Sequence, residues 1–169
     1  MPRSFDMSAD YGGSVDQVHR AFADERYWQA RLADSGADDA TLDALQISPD
    51  GAIAVATTQV LRRDRLPGIV TQFHRGDLLI GRQENWTPVD GRKATAQVSG
   101  NIEGAPVTLA GDAVMSSDDD AVAHLSFRGT VEVRVPLVGG KIESFISTQL
   151  VELLIAEQRF TTQWLAGNI

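Results

Sequence analysis

Arg82 and Glu84 stand two residues apart in the run Leu78-Leu79-Ile80-Gly81-Arg82-Gln83-Glu84-Asn85-Trp86. In a strand this spacing puts both charges on one face with Leu78, Ile80 and Trp86. Turned inward, they form a pair that can orient a bound molecule, or an acid or base beside a cation. Turned outward, they form a solvated cross-strand pair with Leu79 and Gly81 inside. The rarity of fully buried charge favours the outward arrangement. Gln149 is a second polar candidate, set within an apolar helical stripe; at the edge of that stripe its amide would reach water instead. His74 is the remaining titratable group considered for acid–base work with this pair.

Other chemistries find little support. His19, His74 and His124 are far apart and form no HxH, HxxxH or HxxE spacing, so no metal site is expected. No G-x-S-x-G elbow marks a serine nucleophile. Asp118-Asp119-Asp120 lacks the ligand spacing and closing Glu of a calcium loop and reads as a solvated hairpin tip. Gly139-Gly140-Lys141 opens a helix but lacks the full spacing of a phosphate-binding loop. Trp86, Phe160 and Trp164 have spacings more typical of core than of a ligand site. No cofactor is expected.

The elements that must position these residues are read from periodicity. Residues 3–9 alternate, with Phe5, Met7 and Ala9 on one side. Gly12-Gly13 breaks that strand, and Ser14 with Gln17 has the form of a capping box for a helix carrying Val15, Val18 and Phe22. Asp24 caps a second short helix with Tyr27, Trp28 and Leu32. The period then becomes two and stays so. Strands are expected at 40–48, 52–61, 77–87, 94–102, 107–116 and 123–135, with a single helical turn or connector at 69–74. Short turns between consecutive strands make an antiparallel meander with one dry face. Much of that face is small, including Ala94, Ala96, Gly100, Gly111, Ala113, Ala123 and Gly129. Small inward residues leave either a cavity, a closer helix approach or a strongly bent sheet. A helix follows from about Val138 to Leu165, its stripe read as Ile142, Phe145, Gln149, Leu153, Ala156, Phe160 and Trp164 and widened by Ile146, Leu150 and Leu154, with Gly167-Asn168 as its cap.

The chain of 169 residues is long enough to bury a core without cross-links, and one domain over 1–169 is the simplest division. A formal charge of −8 opposes a phosphate backbone, and nucleic acid is not an expected partner. No apolar run reaches the length of a membrane span, and the first residues lack the apolar core of a signal peptide. With no cysteine there is no thiol chemistry, and a cytoplasmic protein is expected.

The order strand, two helices, six strands, long helix resembles the START-like, or helix-grip, superfamily, which includes polyketide cyclases. The resemblance implies an α+β class, with a curved antiparallel sheet of about seven strands gripping the C-terminal helix. The details that carry the resemblance are Phe5-Asp6-Met7 leading to Ser14-Val15-Asp16-Gln17-Val18, then Phe22-Ala23-Asp24 and Tyr27-Trp28, and Val135-Pro136-Leu137-Val138-Gly139-Gly140-Lys141-Ile142-Glu143. Together they look like an actinobacterial START-like family of unknown function, over nearly the whole chain. The resemblance implies a mostly apolar pocket of roughly 300 Å3 or more for a small hydrophobic or lipid-like molecule. Its floor would be the inward strand face with Arg82, Glu84, Trp86, Met115 and Phe127. Its lid would be Phe145, Gln149 and Leu153, with Trp28 near the entrance or in ordinary packing. A cyclase- or hydrolase-type enzyme using polar groups of the same cavity is the alternative. A homodimeric interaction protein without a ligand is a third reading.

Overall fold

A computed structural model describes residues 2–72 and 74–167. In chain order the elements are β1 (Arg3–Tyr11), α1 (Val15–Phe22), α2 (Glu25–Asp34), β2 (Asp39–Ile47), β3 (Ile53–Leu61), the single turn α3 (Gly68–Thr71), β4 (Leu78–Trp86), β5 (Lys93–Ile102), β6 (Val107–Ser116), β7 (Ala123–Val133) and α4 (Gly139–Leu165). The expected order therefore stands, with element ends moved by one to three residues. Phe73, in the expected connector, and Asn168, in the expected cap, lie outside the described residues. Gly167 does adopt the left-handed conformation of a helix cap, at φ +77°.

Local chemistry sets the first elements. The Ser14 hydroxyl accepts from the Gln17 backbone N–H while the Gln17 side chain accepts from Ser14 N–H, closing the capping box at α1. The Asp24 carboxylate accepts from Arg26 N–H at the start of α2.

The seven strands form one curved antiparallel sheet in the order β1-β7-β6-β5-β4-β3-β2. Alternation in β7 is complete, since Ala123, Leu125, Phe127, Gly129, Val131 and Val133 are all buried. The sheet's concave face carries the core. Helix α4 lies over β1 and β7, while α2 packs on β2, and α1 and α2 meet α4. Between them, six rings from α1, α2, β4 and α4 (Phe22, Tyr27, Trp28, Trp86, Phe160 and Trp164) make pairwise contacts with centroids 5.2–6.5 Å apart.

The small residues of the concave face are filled rather than hollow. A Cβ on Gly111 would stand 2.4 Å from Cζ of Phe127, and one on Gly129 would stand 2.8 Å from the same ring and 2.9 Å from Phe5. The two glycines, which pair across β6 and β7, let the aromatic rings lie flat on the backbone.

Helix α4 buries Ile142 and Phe160, toward the two ends of its expected stripe, but around its middle the inward line runs along the widened side, about one residue or some 100° from Gln149. Its buried positions are Ile142, Glu143, Ser147, Phe160 and Thr161, with Leu150, Leu154 and Glu157 half-buried between them, while Gln149 and Ala156 are exposed. The cause is that the inward stripe is partly polar. The Glu143 carboxylate accepts from Val133 N–H at 2.8 Å, and the Ser147 hydroxyl donates to the Glu143 carbonyl at 2.8 Å.

Candidate functional site

Four charged side chains meet on the concave face, two from β4, one from α2 and one from α4. Glu157 on α4 takes Arg31 Nη2 on one oxygen at 2.6 Å and Arg82 Nη1 on the other at 2.8 Å. Arg82 Nη2 also lies 3.0 Å from Glu84 Oε2, and Arg31 Nη2 lies 3.8 Å from the same oxygen. Trp86 Nε1 donates to the other Glu84 oxygen at 3.1 Å. The cluster thus holds two cations and two anions, and all four side chains are at most 14% exposed. The outward, solvated pair favoured for Arg82 and Glu84 is not formed. Their strand faces inward because opposite charges from two helices wait there, which removes the usual objection to burying them.

A hydroxyl chain extends the cluster. Arg31 Nη1 donates to the Tyr27 hydroxyl at 3.3 Å, and Tyr27 and Thr161 share a 2.5 Å hydrogen bond. Thr161 itself donates to the Glu157 carbonyl, so the Tyr27 hydroxyl is the donor to Thr161. The guanidinium of Arg31 also sits 4.6 Å from the ring centre of Trp28, within cation–π range.

The electrostatics follow from burial and pairing. Burial pushes the Glu157 carboxyl up, but the Arg31 and Arg82 guanidiniums pull harder and hold it at about 2. Burial acts to lower both arginines, and Glu157 and Glu84 more than compensate, so both are raised. Burial raises the tyrosines Tyr11 and Tyr27, which therefore stay protonated.

Two small voids flank this cluster. One, of about 30 Å3, is walled by Tyr11, Phe22, Trp86, Leu125, Phe127 and Leu154. The other, of about 10 Å3, lies toward Trp28, Ser35, Thr57 and Gln59. Arg31, Arg82, Glu84 and Glu157 border both, as a partition between them. The first void has about the volume one water occupies in the liquid. The expected pocket of a few hundred Å3 is thus not open here, because Phe127 and the charged cluster occupy its space. A larger open groove of about 370 Å3 lies on the opposite, convex face, beside Asp10, Ser116 and His124, away from the buried cluster.

Toward the other end of the sheet the concave surface is less sealed. Leu109 from β6 and Ile146 and Leu150 from α4 are only half-buried and pack on a separate apolar cluster of Val131, Val133 and Ile142.

The expected site residues divide accordingly. Arg82, Glu84, Trp86 and Phe127 line the 30 Å3 void, and Trp28 lines the smaller one. Met115 is fully buried in the apolar core. Phe145 and Leu153 are half-buried on α4 away from both voids, and Gln149, off the inward line, points to solvent. Sequence reasoning missed Arg31, Glu157, Tyr11 and Thr161. Arg31 carried a signal, since it lies three and four residues from Trp28 and Tyr27 on the buried face of α2. Among the described residues no group of three or more His, Cys, Asp or Glu could hold a metal ion, and no helix is long and apolar enough to cross a membrane.

A curved seven-stranded antiparallel sheet around a long C-terminal helix is the START-like, or helix-grip, fold. The chain belongs to the family described as protein of unknown function (DUF2505), whose model matches residues 6–165. It is 49% identical over 174 residues to the uncharacterized protein Rv0481c of Mycobacterium tuberculosis, covering 100% of both chains, and equally to Mb0491c of Mycobacterium bovis. Among solved structures it resembles the Zhui aromatase/cyclase of a Streptomyces species, with TM-score 0.64, 8% identity and 98% and 94% of the two chains covered. TTHA0849 of Thermus thermophilus gives TM-score 0.63 at 10% identity, covering 98% of each chain. A START superfamily protein of Mycobacterium smegmatis gives 0.56 at 9% identity, covering 96% of this chain and 98% of that one. At these identities the structural likeness concerns the fold.

Proposed function

We propose that the protein binds a small, mostly apolar molecule between the concave sheet face and α4, with the cluster of Arg31, Arg82, Glu84 and Glu157 at the inner end of the site. The observation that carries this reading is the cluster itself. Replacing a buried ion network by apolar residues of similar volume is often neutral or stabilising, so stability alone is a poor reason to keep four charges in a core. Strongly perturbed groups gathered around internal space are a mark of functional sites. The half-buried Leu109 of β6 and Ile146 and Leu150 of α4, gathered on one apolar cluster, supply the walls along which a ligand would enter. Binding requires α4 to shift outward, since 30 Å3 is about a tenth of a usual ligand pocket.

Acid–base catalysis is less well served by the same geometry. The shifted groups of the site move away from neutrality, Glu157 down to about 2 and both tyrosines up. A general acid or base works best with a pKa near the operating pH.

Native mass spectrometry of protein purified without detergent, followed by solvent extraction, tests the binding reading. The expected result is a discrete adduct that is released on denaturation and is mostly hydrocarbon in composition. A bare chain mass, together with no uptake of naphthalene at its solubility limit, overturns it.

A further inference from the structure

Tyr11 ends β1 with its side chain on the concave face, 5% exposed, and it lines the 30 Å3 void. Its hydroxyl has no hydrogen-bond partner among the described residues. Among the described residues no sealed side-chain N or O lacks a partner, so this hydroxyl is not sealed, and the residue that carries it lines the void. No bond of the fold uses this hydroxyl, so its donor and acceptor capacity is free for a guest in the void. The rest of the void's polar lining is already committed. Both Glu157 oxygens take guanidinium N–H groups, Glu84 takes Arg82 and Trp86, and Thr161 is bonded to Tyr27.

We infer that the ligand carries an uncharged oxygen, a hydroxyl or a carbonyl, at its inner end, and that Tyr11 is the residue that hydrogen-bonds it. The inference rests on the binding reading above and narrows its ligand class. Two features of the void exclude a charged end group. The cluster is balanced, so a carboxylate arriving beside Arg31 and Arg82 meets Glu84 and Glu157 at the same place, and an ammonium meets the opposite conflict. A charge brought into this apolar space without a counter-charge also bears its full desolvation cost. A phenol, by contrast, both donates and accepts, and so serves an alcohol or a carbonyl equally well. Burial keeps it protonated.

The test is a calorimetric titration of the full chain at neutral pH with four probes of one ring system: naphthalene, 2-naphthol, 2-naphthoate and 2-naphthylmethylammonium. The expected order places 2-naphthol first, then naphthalene, with the two ions weakest. Tyr11→Phe should weaken 2-naphthol by about 2- to 12-fold, the worth of one hydrogen bond, and leave naphthalene unchanged. The variant should keep the melting temperature of the parent or exceed it, because no bond in the free protein is lost. Naphthoate or the amine binding as tightly as naphthol overturns the inference and leaves the binding reading intact. An unchanged naphthol affinity in Tyr11→Phe overturns the role of Tyr11. Failure of all four probes, naphthalene included, overturns the binding reading and the inference with it.

Discussion

Glu157 is the single carboxylate on which both arginines of the cluster converge, at 2.6 and 2.8 Å. Glu157→Gln leaves Arg31 and Arg82 with Glu84 alone. Breaking a buried ion network from one side typically costs about 3–5 kcal/mol, and urea unfolding at neutral pH should show a loss of that order. The pH dependence follows from the depressed pKa. The unfolded chain's carboxyl titrates at its ordinary value of 4.5 and the folded one at about 2. The stabilisation from ionised Glu157 is therefore complete above 4.5 and is lost as pH falls toward 2. The stability gap between parent and Glu157→Gln should be widest near neutrality and narrow steadily below pH 4.5; a gap that widens in acid contradicts the assignment. The sequence offered Arg82 and Glu84 as a pair but not the meaning of the pair. Whether a charge is buried depends on partners 50 to 75 residues away, and no local spacing shows them.

At the scale of elements, periodicity was enough where polar and apolar residues separate cleanly, as in β7. It misplaced α4 because four inward positions, Glu143, Ser147, Glu157 and Thr161, are polar. Each is satisfied by a partner or by the helix's own backbone. A centre line drawn through Phe145, Gln149 and Leu153 then lands one position away, and only the widened side of the stripe, with Leu150 and Leu154, lies on the inward line. The glycines of the concave face have the opposite lesson. Their smallness left a cavity, a closer helix approach and a bent sheet all open, and the space at Gly111 and Gly129 belongs to Phe127 and Phe5. Gly111→Ala drives a methyl into the Phe127 ring, and overpacking of this kind costs about 1–3 kcal/mol. Combining it with Phe127→Leu should recover part of that loss, and a double-mutant cycle from urea unfolding measures the coupling. Strict additivity of the two changes would mean that the ring does not rest on Gly111.

Across the whole molecule, the fold was legible because the element order is distinctive: one strand, two helices, six strands and a helix that spans about 40 Å. The extent of internal space was not legible, since composition cannot say whether a small side chain faces a void or a ring. The same order also has a temporal consequence. β1 pairs only with β7, Tyr11 standing opposite Ala123. At elongation rates of roughly 5–20 residues per second, β1 waits on the order of 6–22 s on the ribosome before its partner is made, and α4 is made later still. Throughout that interval Phe5 and Met7 have neither a neighbouring strand nor a covering helix. Nascent chains stalled at residue 122 should show no hydrogen-exchange protection in β1, while full-length chains show it across β1 and β7 together. Protection of β1 in the stalled chain would mean that it finds another partner first. The first strand synthesised is thus among the last to be secured, and newly made chains spend their most aggregation-prone seconds with it exposed.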